Sequence, residues 1–513
     1  YCRRNCYFVG VIMKILTAKE IKRAEELAFE RYYTEAELMK RAGHECALKI
    51  IKYYGEAIKG EAVSVICGNG KNAGDGFVIA KELCEFGARA QIVLADKRPE
   101  IPEPLMYYNE AIESGVESVF FDEAVLSSVL IVDCIFGIGF HGSPKPPFDN
   151  IFNTINNCSA AVVCVDTPSG TNATNGEVVN AVKADLTIAI STLKYCHILP
   201  PANLYCGKTV VVNIGIPEDC YGTDYAETIT KQFVKDCFIK RGLNSNKGNY
   251  GRQINICGSL KMPGAAVICA RAALKSGVGL LKCLFPKSIY PVLTSHLTQP
   301  LFVPLSENED KTLSMGSLTH ILEEIKDASC IAVGCGLGNN DDTQVIVNQI
   351  IKEADCPIVL DADGINAALT NIDIIREAAY KPVLTPHPGE MARLVNEDAA
   401  YVQKHRIETA RAFSQEHNCI VVLKGANTVV TDGKRVLINT TGNPGMAMGG
   451  TGDMLTGIIS AFISQGVEPF NAAACGVYIH GLCGDITAQE ISQRGMTVDD
   501  MLELLGALMS KFE

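Results

Sequence analysis

Apolar residues recur three and four apart from Thr17 to Tyr54, the spacing of a helix that buries one face, and Thr17 with Glu20 three positions later supplies a capping box at its start. After residue 60 the period changes. Short runs rich in Val and Ile, at 62–67, 90–94, 130–134, 161–165, 186–190 and 209–214, alternate with helical stretches, the first of which extends through Leu83. Strands that are apolar throughout and separated by helices predict a parallel sheet covered on both faces. Across 219–240 the pattern lapses into polar, irregular sequence, and it restarts at 252–257. Runs at 280–284, 330–333, 357–360, 382–384 and 419–423 continue a second α/β series. Segments 428–431 and 435–439, joined through Asp432-Gly433, read as a hairpin.

Two such series in 513 residues predict two domains, since a single hydrophobic core stops growing well short of that length. The expected division is an extension at 1–12, a first domain at 13–228 and a second at 229–513, and the halves do not read as repeats. The apolar stretch from Tyr7 to Ile12 is too short for a signal-peptide core or a membrane span, so the extension reads as an added or upstream-start segment. No other apolar run reaches membrane length uninterrupted, and a soluble protein is expected. The net charge of −12 argues against nucleic acid as a partner. The 21 cysteines are scattered along apolar stretches (Cys67, Cys134, Cys164, Cys257, Cys269, Cys419) with no C-x-x-C pair, which predicts small buried thiols in a reducing, cytoplasmic setting.

Candidate chemistry gathers at strand ends. Gly68-Asn69-Gly70-Lys71-Asn72-Ala73-Gly74-Asp75-Gly76 follows one expected strand and opens a helix, where backbone N–H groups can approach a pyrophosphate. The spacing is neither the dinucleotide fingerprint nor a P-loop. Val132-Asp133 precedes Gly137-Ile138-Gly139-Phe140-His141-Gly142, and Val165-Asp166-Thr167-Pro168-Ser169-Gly170 ends the next strand. Two carboxylates at neighbouring strand ends can act as acid and base, or bind a cation with Asn72 and Ser169; alternatively each caps the helix that follows.

This order of motifs, over roughly 13–216, resembles the NAD(P)H-hydrate epimerase family. The resemblance implies a Rossmann-like domain that interconverts the R and S forms of NAD(P)H hydrate. It further implies that Asn72, Asp133 and Ser169 hold a K+ ion and that Asp166 is the acid/base group. The substrate loops would be Lys71, Asn72, Ala73, Gly74 and Asp75, and Gly137, Ile138, Gly139, Phe140, His141, Gly142 and Ser143. Lys71 replaces a usual Asn and Ala73 a usual Gly; Ala73 would be strained wherever positive φ is required.

In the second half, Met448-Gly449-Gly450-Thr451-Gly452-Asp453 opens a helix expected to run to about Ile463. Backbone N–H groups there can neutralise a transferring phosphoryl group while Asp453 takes the proton of an attacking hydroxyl; alternatively Asp453 complements the helix dipole. Gly334–Gly338, Asp361-Ala362-Asp363-Gly364, His387-Pro388-Gly389-Glu390 and Lys424-Gly425-Ala426-Asn427-Thr428 sit at other strand ends. With Asn246–Arg252, Gly258-Ser259 and Gly264-Ala265-Ala266, these segments resemble the ADP/ATP-dependent NAD(P)H-hydrate dehydratases, which implies a ribokinase-like fold. By that resemblance Lys424, Gly425, Ala426, Asn427, Thr428 and Gly452 contact the nucleotide. Ala265, Gly338 and His387 contact the hydrate, and Asp453 deprotonates its hydroxyl.

Together the resemblances imply a bifunctional repair enzyme for hydrated nicotinamide cofactors, similar to the prokaryotic type, which uses Mg2+ with ADP (or ATP) as phosphoryl donor, ADP being the usual one, and takes the S epimer. A homo-oligomer is expected. Two rivals compete: a small-molecule kinase with a regulatory first half, and a chain whose first half is a non-catalytic binding domain.

Overall fold

A computed structural model describes residues 13–122 and 127–513, so the expected extension at 1–12 lies outside the described residues. The described chain forms two compact units, Met13–Tyr225 and Ala226–Glu513.

The N-terminal unit is built on seven parallel strands: β1 (Ala62–Cys67), β2 (Arg89–Leu94), β3 (Glu117–Phe120), β4 (Leu130–Cys134), β5 (Ala161–Val165), β6 (Leu186–Ile190) and β7 (Lys208–Val212), in the order β3-β2-β1-β4-β5-β6-β7. Alternate residues face opposite layers. Val63, Val65 and Cys67 pack with helices Glu35–Tyr54 and Lys71–Phe86, while Ile66, Val93, Ile131 and Cys164 pack with helix Phe148–Asn157. Chain order reverses between β1 and β4, and a crevice opens outside the carboxyl ends of the strands at such a switch point. The Gly68–Gly76 turn leaves the end of β1, and Asp133 lies near the end of β4.

Two expectations need correction. The helical pattern at 17–54 is two helices, Ala18–Arg31 and Glu35–Tyr54, because Thr34 and Glu37 form a second capping box that starts a new helix. Segment 219–240 is not irregular throughout. It holds the strand β8 (Ala226–Thr228) and the Thr230-capped helix Lys231–Cys237, both too short to register as a period.

The C-terminal unit continues with β9 (Arg252–Ile256), β10 (Leu280–Pro286), β11 (Leu301–Leu305), β12 (Cys330–Val333), β13 (Ile358–Leu360), β14 (Val383–Leu384), β15 (Ile420–Leu423), β16 (Val429–Thr431) and β17 (Val436–Ile438). Their order is β11-β10-β9-β12-β13-β14-β15-β16-β17-β8. Pairing is parallel up to β15, and the hairpin β16–β17 follows antiparallel, as its Asp-Gly turn requires. Here too the order reverses, between β9 and β12. Helix Thr451–Ser464 is buried from Met454 onward and packs against Pro263–Lys275 and Pro469–Glu490, which accounts for its being apolar all round.

Two candidate active sites

In the N-terminal unit a cavity of about 640 Å³ opens at the switch point. Its wall includes Lys71, Asn72, Asp75, Gly137, Ile138, Gly139, Phe140, His141 and Asp166, which brings the glycine-rich turn, the loop after β4 and the carboxylate after β5 together. Ala73 is fully buried in the apolar core, inside the helix that begins at Lys71, so the strain considered for it does not arise. Gly74 serves packing: a Cβ there would lie 2.2 Å from Met39 Sδ. Gly142 has φ +80 and, with Ser143, continues the loop beyond the residues of the wall.

Asp166 is held in a left-handed conformation at φ 66, which a non-glycine residue adopts only when its surroundings impose it. Three partners impose it. Ile190 N–H and Lys194 Nζ both donate to Oδ1, the first at 3.1 Å. His197 Nδ1 accepts from Lys194 N–H at 2.9 Å, which leaves Nε2 to donate to the Asp166 carbonyl at 2.7 Å. Burial, aided by the Lys194 charge, pushes His197 down to about 4, so the ring stays neutral in this role. Lys194 is 1% exposed and pairs with Asp166, as a buried charge must. Glu25, from helix Ala18–Arg31, reaches the same cavity; burial and then the Asp166 charge raise it to about 7. Burial, then Asp166 and Glu25, also raise Asp75 well above the carboxylate range. Glu25, Lys194 and His197 are functional candidates that the sequence did not reveal, because each stands alone in its segment with no motif spacing.

Asp133 and Ser169 form one buried knot. Ser169 donates from Oγ at 2.6 Å and from N–H at 2.9 Å to the Asp133 carboxylate, which also accepts from Ile135 N–H at 3.1 Å. Burial raises Asp133 despite these bonds. Beside the knot Asn72 Nδ2 donates to the carbonyls of Phe136 at 3.1 Å and Val165 at 3.4 Å. Asn72, Asp133 and Ser169 thus meet at one place, linked through the Phe136 backbone.

The C-terminal candidates also converge, at the carboxyl ends of β12 to β15. Lys424 Nζ lies 2.8 Å from Asp361 Oδ1 and 3.9 Å from Glu390 Oε2. Thr385 Oγ1 donates to Asp361 at 2.7 Å. Burial alone would raise Asp361, but the Lys424 charge and these bonds outweigh it and hold the carboxyl below its usual range. Asp453 is not stabilised in this way. Burial, then the neighbouring Cys335 and Asp361, push it up to about 9. Gly452 brings the helix N-terminus close, since a Cβ there would stand 3.4 Å from Lys424 Nζ.

His387 acts as a cap. Its Nδ1 accepts from Gly389 N–H at 3.0 Å and Glu390 N–H at 3.3 Å, and its exposed Nε2 faces Glu390 at 3.5 Å. It therefore connects through Glu390 to Lys424 and Asp361. Gly338 N–H donates to Asp363 at 2.8 Å, and the backbone strain beside that bond sits on Ala362 at φ 47. Ala265 lies against the loop before Gly338, because a Cβ on Gly336 would come within 2.9 Å of its own. The Lys424–Thr428 loop is shaped by Gly425 at φ +134, by Asn427 donating to Asn439 O at 3.3 Å and by Thr428 donating to Gly425 O at 3.0 Å; Ala426 lies between them. Buried Arg406 donates to the carbonyls of Leu423 at 3.0 Å and Lys424 at 3.1 Å, a support the sequence did not reveal.

Two family models match the chain, one described as NAD(P)H-hydrate dehydratase over residues 254–506 and one described as YjeF-related protein N-terminus over 35–196. A bifunctional NAD(P)H-hydrate repair enzyme of Moorella thermoacetica is 33% identical over 519 residues, covering 98% of this chain and 97% of that protein. A bifunctional NAD(P)H-hydrate repair enzyme of Escherichia coli K12 is 32% identical over 516 residues, covering 98% and 95%. A solved ADP/ATP-dependent NAD(P)H-hydrate dehydratase from Bacillus subtilis, co-crystallized with ATP/Mg2+, is 28% identical, covers 56% of this chain and 98% of that one, and superposes with a TM-score of 0.48.

Proposed function

The chain belongs to the family of bifunctional NAD(P)H-hydrate repair enzymes, and from that premise we infer how its two units divide the repair. The protein epimerises and dehydrates hydrated nicotinamide cofactors. The C-terminal unit performs the dehydration, with ADP as phosphoryl donor and the S epimer as substrate. The N-terminal unit performs the epimerisation.

The observation that carries the dehydratase assignment is Asp453. It is a mostly buried carboxyl, raised to about 9, at the N-terminus of a buried helix beside the Lys424–Asp361 pair. Asp453 accepts the proton of the hydrate's hydroxyl as the oxygen attacks the terminal phosphoryl group. Backbone N–H groups at Gly449–Gly452 and the Lys424 side chain offset the charge on the phosphates, as would the Mg2+ that accompanies the nucleotide. Phosphate, a far better leaving group than hydroxide, then departs as the ring-nitrogen lone pair forms an iminium. Loss of a proton from the adjacent ring carbon restores the dihydropyridine. Lys424, Gly425, Ala426, Asn427, Thr428 and Gly452 hold the nucleotide, while Ala265, Gly338 and His387 border the hydrate.

In the N-terminal unit Asp166 takes the proton of the hydroxyl on the carbon bonded to the ring nitrogen as the carbon–nitrogen bond opens to an aldehyde and a protonated enamine nitrogen. The nitrogen recloses on the other face as the oxygen regains a proton, and the 71–75 and 137–143 loops hold the substrate. Asn72, Asp133 and Ser169 would hold the potassium ion, whose positive charge would favour an anionic substrate. Nineteen free cysteines among the described residues suit a reducing cytoplasm.

The test is to incubate purified protein with mixed hydrate epimers, Mg2+, K+ and either ADP or ATP. Recovery of reduced-nicotinamide absorbance, lost in Asp453→Asn, is the expected result. A stable phosphate ester as product, or normal turnover in that variant, overturns the assignment.

A further inference from the structure

Three thiols meet at the switch point of the C-terminal sheet. Cys257 follows β9, Cys335 follows β12 by one residue, and Cys269 comes from helix Pro263–Lys275. Neighbouring parallel strands deliver two of the sulfurs from the same edge, and the helix packed over them delivers the third. Their Sγ atoms all lie within 4.8 Å of one another, and none of the three residues is more than 1% exposed. Tetrahedral thiolate coordination of zinc at about 2.3 Å places sulfurs about 3.8 Å apart, so the thiols stand within about 1 Å of a closed ligand set. Gly258 at φ +88 and Gly336 at φ +65 follow Cys257 and Cys335 directly and fix the turns that present them. Cys335 also belongs to a second group, with Asp361 and Asp453, whose ligand atoms are equally close. Among the described residues no other three His, Cys, Asp or Glu side chains converge in this way.

The second group touches the first only through Cys335, so Asp453 neighbours one sulfur and is not a ligand common to all three. We propose that Cys257, Cys269 and Cys335 form a three-thiolate binding site for a thiophilic divalent cation such as cadmium, and that its occupancy, by drawing Cys335 into coordination beside Asp453 and Asp361, stops dehydration. Binding displaces the three thiol protons to solvent; no electron is transferred. Mg2+ prefers hard oxygen ligands in octahedral geometry, so the nucleotide's own ion does not compete for the sulfurs. The binding half of the proposal is independent of the role assigned to Asp453, whereas the inhibition half rests on it.

The experiment uses the reduced, chelator-treated full chain titrated with Cd2+. It follows thiolate-to-cadmium absorption in the ultraviolet, bound metal, and both activities. One equivalent with thiolate absorption is expected, with dehydration falling as the site fills and epimerisation unchanged. Cys269→Ala and Cys257→Ala should each bind Cd2+ at least about tenfold more weakly, while Cys237→Ala binds as the parent does. Cys269→Ala should keep metal-free dehydration. Absent thiolate absorption, or equal affinity in the Cys257 and Cys269 variants, overturns the site. Full occupancy with dehydration intact overturns the coupling of the site to the reaction through Cys335. Loss of turnover in metal-free Asp453→Asn separately verifies the base role, so the two failures are distinguishable.

Discussion

Asp453 and Glu25 are carboxyls whose charged forms the protein disfavours, one in each unit. The Asp453 carboxyl moves from an ordinary 3.8 to about 9, with burial the largest cause. The folded protein therefore keeps a proton there that the unfolded chain has already released. The resulting stability is complete below the ordinary value and is lost as pH rises through about 9. Asp453→Asn, which removes that loss, should melt higher than the parent at pH 9, with the difference shrinking to nothing near pH 4. The same titration governs function. A base must be deprotonated, so kcat/KM for dehydration should climb with pH toward about 9, and the Asn variant should fall about 10²–10⁴-fold. A flat pH profile would remove Asp453 from the role of base. Glu25 moves from 4.5 to about 7, so Glu25→Gln should abolish a loss of stability between those two values, readable as a melting-temperature difference that grows from pH 4 to 7. The contrast in legibility is physical. Asp166 and Asp453 announce themselves because proline, serine and glycines crowd beside them. Glu25, Lys194, His197 and Arg406 act through contacts made across the fold, and no local spacing encodes those.

At the level of elements, buried strands were legible, whereas the edge strands β3 and β11 were not. β1, β4, β5, β6 and β12 are mostly apolar because both their faces are covered, with Ser64, Asp133 and Thr187 as polar exceptions, and the expected bounds match the observed ones. β3 reads Glu-Ser-Val-Phe and is partly exposed along its length, and β11 contains Pro304, tolerable at an edge because one side of the strand has no partner to receive an N–H. β3 carries no continuous apolar run, and Pro304 breaks the one in β11 after three residues. The glycines of helix Thr451–Ser464 likewise became intelligible only in contact. A Cβ on Gly457 would lie 2.3 Å from the Cys269 carbonyl oxygen, which belongs to the backbone of the packed helix and cannot swing away. Gly457→Ala gains about 1 kcal/mol in helix propensity, yet overpacking of this kind costs about 1–3 kcal/mol. The second effect should win. The urea midpoint should fall with an unchanged slope, and dehydration should fall with it, since the same helix carries Asp453 at its first turn. A raised midpoint would show that the two helices can separate without cost.

On the scale of the whole molecule, both units place their candidate chemistry at the carboxyl edge of a parallel sheet where strand order reverses, an outcome that alternating strands and helices predict without any motif. What the alternation could not predict is that two sites on one chain are chemically dependent. A dehydratase that phosphorylates a hydroxyl in a fixed pose accepts one configuration at the carbon bearing it. Phosphoryl transfer makes that step effectively irreversible, whereas epimerisation only restores the ratio that consumption disturbs. From an epimer mixture the intact protein should therefore recover nearly all the reduced nicotinamide in the presence of nucleotide. Asp166→Ala should instead stop at the fraction initially present as the S epimer and then creep upward at the uncatalysed rate. Its early rate on the S epimer should equal the parent's, because Asp453, Lys424 and Asp361 all belong to the other unit. Chiral separation of the residual hydrate settles the matter: nearly pure R epimer at the plateau is the expected result, and complete consumption of both epimers at the parent's rate would take the proton-exchange role away from Asp166.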